Sequence, residues 1–230
     1  MRLFRFFSAA LILLGTPLSL AARDLTLRLL AFDPSTVQAG AHAFDPGVKD
    51  APGVPAPIKG FLNHEGVKLT ATGNELLFSR SATSNEAAKP ESLIATVKLP
   101  ASGSRFILIF LPGPAGKAPV LVVDDSVPGF PLGSYQVFNL GRKPVRLVLE
   151  NQPFEYAPGK SGIIKDPPVQ ENQHSAMYAF TETDGKWERI GSGLWPHPGT
   201  RRSIQLFFEN PATGRTELKG FRDIAPPTEP

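Results

Sequence analysis

Several short stretches carry residue types that do chemistry elsewhere. Gly159-Lys160-Ser161 has the end of a phosphate-binding loop. Such a loop needs a further glycine five residues earlier, a strand before it and a helix start after it, so that backbone N–H groups converge on the anion. Phe154 stands at the glycine position, and Ser161-Gly162-Ile163-Ile164 reads as a strand, so the motif is expected to be a polar turn. Gly191-Ser192-Gly193 lacks the Gly-x-Ser-x-Gly spacing of a nucleophile elbow. The histidines, His42, His64, His174 and His197, have no metal-binding spacing between them, and there is no cysteine. Asp124-Asp125 lacks the alternating Asp/Asn of a calcium loop and marks the place where an apolar strand leaves the core. No carboxylate pair stands out for acid–base work. The expectation is therefore no catalytic residue, no metal and no cofactor.

The best binding candidate is "LWPHPGTRRS", residues 194–203. Its Trp195, His197, Arg201 and Arg202 sit in a proline-rich loop. Trp and Arg are common anchors of recognition surfaces, and paired guanidiniums suit carboxylate, sulfate or phosphate. A second reading makes Trp195 a cap on the core, and the high average burial of tryptophan favours it.

The elements that must carry this loop are strands. The 24 prolines and 21 glycines leave few windows for an uninterrupted helix. Short runs rich in Val, Ile, Leu, Phe and Thr predict strands near 25–32, 67–72, 75–80, 92–99, 105–111 and 119–124. A second set follows near 134–140, 145–150, 161–164, 176–183, 187–192, 203–209 and 216–221. Many short strands between turns predict an all-β chain of antiparallel sandwich type. "FILIFLP" at 106–112 and "PVLVVDD" at 119–125 are continuously apolar and read as central strands covered on both faces. Asp184-Gly185 is a two-residue hairpin signal. Residues 135–140, 145–150 and 154–164 read as a three-stranded meander.

Residues 34–60, rich in Pro, Gly and Ala, read as a long loop. "SVPGFPLG" at 126–133 reads as a linker between two tandem immunoglobulin-like sandwiches, residues 22–125 and 134–225, with a tail at 226–230. One continuous larger sandwich is the alternative.

The first 21 residues have a positive head, an apolar run from Phe6 to Leu14 and small residues at Ser19 and Ala21, the pattern of an export signal. Cleavage is expected after Ala21, with Ala22 as the alternative. The apolar run is shorter than the roughly 20 residues that span a bilayer, and no later run is long enough. Without Arg2 and Arg5 the chain carries 22 bases against 21 acids, so nothing suggests a nucleic-acid partner. The expected place is the periplasm or outside the cell.

The C-terminal half resembles a loosely defined group of exported, uncharacterised bacterial β-sandwich proteins. "FPLGSYQVFNL" (130–140), "KPVRLVLENQPFEYAPGKSGII" (143–164) and "WERIGSGLWPHPGTRRSIQLFFE" (187–209) carry the resemblance. It implies a fold and an export route, and no activity. The function expected is that of a binding or structural module of the cell envelope, with an envelope glycan or another exported protein as partner. The alternative is a secreted hydrolase using carboxylates from different strands.

Overall fold

A computed structural model describes residues 22–62, 65–114, 117–224 and 226. The expected export signal, His64 and all of the expected tail but Pro226 lie outside them. Eight strands precede residue 125: β1 (Arg23–Ala31), β2 (His42–Phe44), β3 (Val54–Pro55), β4 (Val67–Ala71), β5 (Glu75–Ser79), β6 (Leu93–Lys98), β7 (Arg105–Phe110) and β8 (Val120–Asp124). Eight follow: β9 (Tyr135–Asn139), β10 (Val145–Leu149), β11 (Gln152–Tyr156), β12 (Ser161–Ile164), β13 (His174–Thr183), β14 (Lys186–Pro196), β15 (Arg202–Glu209) and β16 (Thr216–Asp223). Among the described residues the only helical pieces are a 3-10 turn at Pro34–Thr36 and one α-turn at Ser84–Ala87.

The first eight strands make two sheets, ordered β4-β1-β7-β8 and β3-β2-β5-β6. The second eight repeat this with every number raised by eight, β12-β9-β15-β16 and β11-β10-β13-β14. The chain is two tandem sandwiches with one topology. Even an irregularity repeats: the β5–β6 and β13–β14 ladders both slip register. Pairing is antiparallel except for β1 with β7 and β9 with β15, which are parallel. In each sandwich the chain crosses to the other sheet and back twice before this partner strand arrives, which permits the parallel pairing.

Three apolar layers result. The first fills the N-terminal sandwich with Leu25, Leu27, Leu29, Leu76, Phe78, Phe106, Leu108 and Phe110. The third fills the C-terminal one with Val137, Val145, Leu147, Leu149 and Phe207. The middle layer lies between the sandwiches: Leu30, Ile107, Ile109 and Val123 of one sheet meet Phe138, Ile204 and Leu206 of the other. This is why β7 and β8 are apolar on both faces, as their composition predicts. β8 is nevertheless an edge strand, covered in front and behind but not on its free side.

Three expectations need correction. Residues 34–60 are not an open loop: β2 and β3 lie there, and Ala41, Ala43, Ala56 and Ile58 are core residues. Alanine gives little sequence signal but packs closely between sheets. The expected meander is split. β10 pairs with β11, whereas β9 pairs with β12 and β15 in the opposite sheet. The turn at 141–144 therefore crosses the sandwich. The joint at 126–133 is packed, with Phe130 fully buried in the middle layer. The Asp184-Gly185 turn joins β13 to β14, and both residues take positive φ, 50° and 75°.

Candidate cleft in the C-terminal sandwich

Residues 194–203 lead from the end of β14 into β15, where the C-terminal sandwich opens between its edge strands β14 and β16. Side chains alternate along a strand, so residues 191, 193 and 195 of β14 face the interior and residues 192 and 194 face out. Trp195 packs on the inner layer, and its ring lies 5.0 Å from Tyr135. Next along that face are two glycines. A Cβ built on Gly193 would approach only Met177, at 3.9 Å, and one on Gly191 would meet nothing within 4 Å.

The facing sheet is polar in the same place. Gly220 on β16 pairs with Gln205 on β15, and the Gln205 side chain lies over it. A Cβ on Gly220 would come within 2.7 Å of Gln205 Oε1, so only glycine lets Gln205 lie there. Ser203 and Arg222 complete that wall. Gln205 Nε2 donates to Ser203 Oγ at 3.0 Å. The result is a cleft of about 550 Å³ lined by Tyr135, Met177, Ile190, Trp195, Gln205, Leu218 and Arg222, among others.

The N-terminal sandwich is an internal control. Its corresponding strands carry apolar residues on their inner faces: Ala95 and Val97 on β6, Phe106 and Leu108 on β7, and the partly buried Val120 and Val122 on β8. One topology is built twice, and the second copy is left open at the β14–β16 end. Where the first copy has only apolar side chains at these positions, the second has glycine, serine, glutamine and arginine among them.

The electrostatics of the cleft are basic at the Trp195 end. Arg201 and Arg222 line it, and neither makes a side-chain hydrogen bond or ion pair among the described residues. Burial pushes the Tyr135 hydroxyl up to about 12, against the opposing charge of Arg222. That hydroxyl donates to Pro196 O at 2.7 Å, pinning the start of the loop. The carboxylate at the other end, Glu217, accepts from Asn210 Nδ2. On β13, Ser175 Oγ is buried without a hydrogen-bond partner among the described residues.

The four loop candidates thus divide. Trp195 is both a core cap and a cleft wall, so its two readings are not exclusive. Arg201 is exposed and faces the opening. His197 lies beside it: Nδ1 accepts from Gly199 N–H, and Nε2 is 3.6 Å from Asp166 Oδ1. Arg202 is removed from the candidate list. It is 0 % exposed and belongs to a buried ion cluster between the two sandwiches.

In that cluster Arg202 bonds Asp125, Asp223 and the Phe130 carbonyl, while Arg28 of β1 holds Asp223 with two bonds of 2.7 and 2.8 Å. Asp125 therefore does not mark an exit to solvent as expected. The strand register turns it inward, and only Asp124 faces out, where it caps Ser126 N–H. Burial pushes the Asp125 carboxyl above its ordinary range in spite of Arg28 and Arg202. For Asp223 burial acts the same way but is outweighed by the hydrogen bonds and charges of both arginines, and the carboxyl sits low.

The remaining motifs are structural where they are described. Gly159-Lys160 is a turn and Ser161 opens β12. Among the described residues no group of three His, Cys, Asp or Glu side chains is placed to hold a metal ion. No helix among them is long and apolar enough to cross a membrane. No protein-family model matches this chain, and no curated protein matches its sequence. The interior glycines were visible as "GSG", but their meaning depends on which face of β14 they occupy, and that is set by pairing with β13.

Proposed function

We propose that this chain is an exported binding module of the cell envelope, not an enzyme, and that its ligand enters the cleft between β14 and β16. The observation that carries the reading is the difference between the two copies of the fold. A sandwich needs apolar side chains at inner positions, and the N-terminal copy has them. Gly191 and Gly193 omit them in the C-terminal copy, and Gly220 makes room for the polar Gln205 side chain, which costs packing and leaves a polar-walled cavity. A volume of about 550 Å³ is in the range of small-ligand or side-chain sites. An apolar floor with a few convergent polar groups suits recognition.

The test fills the cavity. The mature chain and its Gly193→Val variant are compared for retention on isolated envelope glycan and on exported proteins of the native host. The parent is expected to be retained and the variant to lose at least tenfold, with a melting temperature no lower than the parent's. Equal retention of the two would overturn the reading.

A further inference from the structure

The β14 edge shows what shape of ligand the cleft takes. His197 N–H donates to Gln173 O at 2.8 Å, which makes residues 173 and 197 a hydrogen-bonded pair of the β13–β14 ladder. Such pairs recur at every second residue of an antiparallel ladder. With the register Ser175↔Trp195, Met177↔Gly193 and Ala179↔Gly191, those residues spend their N–H and C=O groups on β13. Ser192 and Leu194 therefore point theirs to the free side, where β14 has no neighbour. The same strand thus offers outward backbone groups at 192 and 194 and empty inward positions at 191 and 193.

Natural edges are usually blocked by charge, proline or a bulge. The first half of β14 follows that rule with Lys186, Glu188, Arg189 and the register slip, and Pro196 closes the far end. The stretch between, Ile190-Gly191-Ser192-Gly193-Leu194, has no charge and no proline, and Leu194 is 70 % exposed. This unblocked piece coincides with the cleft.

We propose that the ligand is an extended peptide segment of a partner protein, which adds as a strand to β14 at Ser192 and Leu194. Its alternate side chains enter the space over Gly191 and Gly193. This rests on the cleft being the binding site, and it names the class of occupant. Charge complementarity selects the kind of segment. The uncommitted Arg201 and Arg222 at the Trp195 end favour a carboxylate there, so the segment is apolar in alternation with an acidic residue at that end.

The probe is a library of random decapeptides displayed on phage, selected against the full mature chain. Enriched peptides are then synthesised and titrated by tryptophan emission. Two changes separate a strand from any other occupant. Ser192→Pro removes an outward N–H and leaves the β13 ladder and the cavity intact, as edge positions permit. N-methylation of the peptide at alternate amides does the same from the ligand side, with the protein unaltered. The expected result is alternating apolar peptides with an acidic residue, weakened at least tenfold by Ser192→Pro and by one N-methylation phase but not the other. Failure to enrich any peptide overturns the proposal, as does indifference to both N-methylation phases. An envelope glycan whose binding is lost in Gly193→Val but kept in Ser192→Pro overturns the strand and leaves the cleft as a binding site. A concentration-dependent dimer that Ser192→Pro returns to monomer makes the occupant a second copy of this chain, which also overturns it.

Discussion

Gly193 stands opposite Met177 on the inner face of the C-terminal sandwich, and a Cβ at 193 would stop 3.9 Å short of the methionine methyl. The position can accept a side chain without displacing backbone. Glycine there has a conformational cost as well, because a strand interior favours residues with fewer unfolded conformations. Gly193→Val is therefore expected to raise stability by about 0.5–1 kcal/mol. Urea denaturation checks this. A loss of stability would mean that the cleft closes around the glycine in solution.

The ion cluster gives a second prediction. Arg202 binds two buried carboxylates and a carbonyl, so Arg202→Met leaves Asp125 with Arg28 alone, across a 3.4 Å contact. Removing one partner of a buried cluster costs about 3–5 kcal/mol. Replacing all four residues together (Arg28→Met, Asp125→Leu, Arg202→Met and Asp223→Leu) removes every buried charge at once. That variant is expected to lose less than Arg202→Met alone. The denaturant midpoints of the two variants decide it. If the quadruple variant is the weaker, the cluster supplies net stability and does more than satisfy its own charges.

The two aspartates predict opposite responses to acid. Asp125 has a folded pKa above its ordinary 3.8, so just above pH 3.8 the folded state binds more protons than the unfolded state. Its contribution to stability then grows as pH falls toward 3.8. Asp223 has a folded pKa below 3.8, and its contribution is lost as pH falls further, through that folded value. Relative to Asp125→Asn, the parent should gain stability as pH is lowered toward 3.8. Urea midpoints in steps from pH 6 to pH 3 measure the difference. A parent that loses ground to the variant over that range would reverse the sign assigned to Asp125.

The fold was legible where composition and local geometry speak for themselves. The apolar run of β7 announces two covered faces, and Asp184-Gly185 announces a hairpin. The sequence is silent on pairings set by distant residues. Nothing in residues 135–150 tells that β9 and β10 lie in opposite sheets, because both alternate equally well. β2 escapes notice because it is only three residues long, and of its two buried side chains, Ala43 and Phe44, one is only a methyl group. The candidate loop was half legible: Trp195 and Arg201 do border a cavity, but the Arg202 side chain, one residue on, enters the buried ion cluster. Arg201 precedes β15 and stays exposed at the opening, whereas Arg202, the first residue of β15, carries its guanidinium into the buried ion cluster.

The middle apolar layer makes the last prediction. Loosely joined domains unfold separately, whereas domains that share a large apolar interface do not. Here the outer face of β1, β7 and β8 packs on that of β9, β15 and β16 through Ile107, Ile109, Ile204 and Leu206, all of them 0 % exposed. Phe130 of the joint and the Arg28–Asp223 pair cross the same boundary. Separation would expose this layer and leave buried charges unpaired, so the two sandwiches are expected to melt together. Calorimetry of residues 22–230 should give one transition, with calorimetric and van't Hoff enthalpies in agreement. Leu206→Ala, a buried truncation in the shared layer, should cost about 2–5 kcal/mol and move that single transition as a whole. Two resolved transitions, with Leu206→Ala shifting only one, would show that the sandwiches fold independently and that the middle layer is a contact between finished domains.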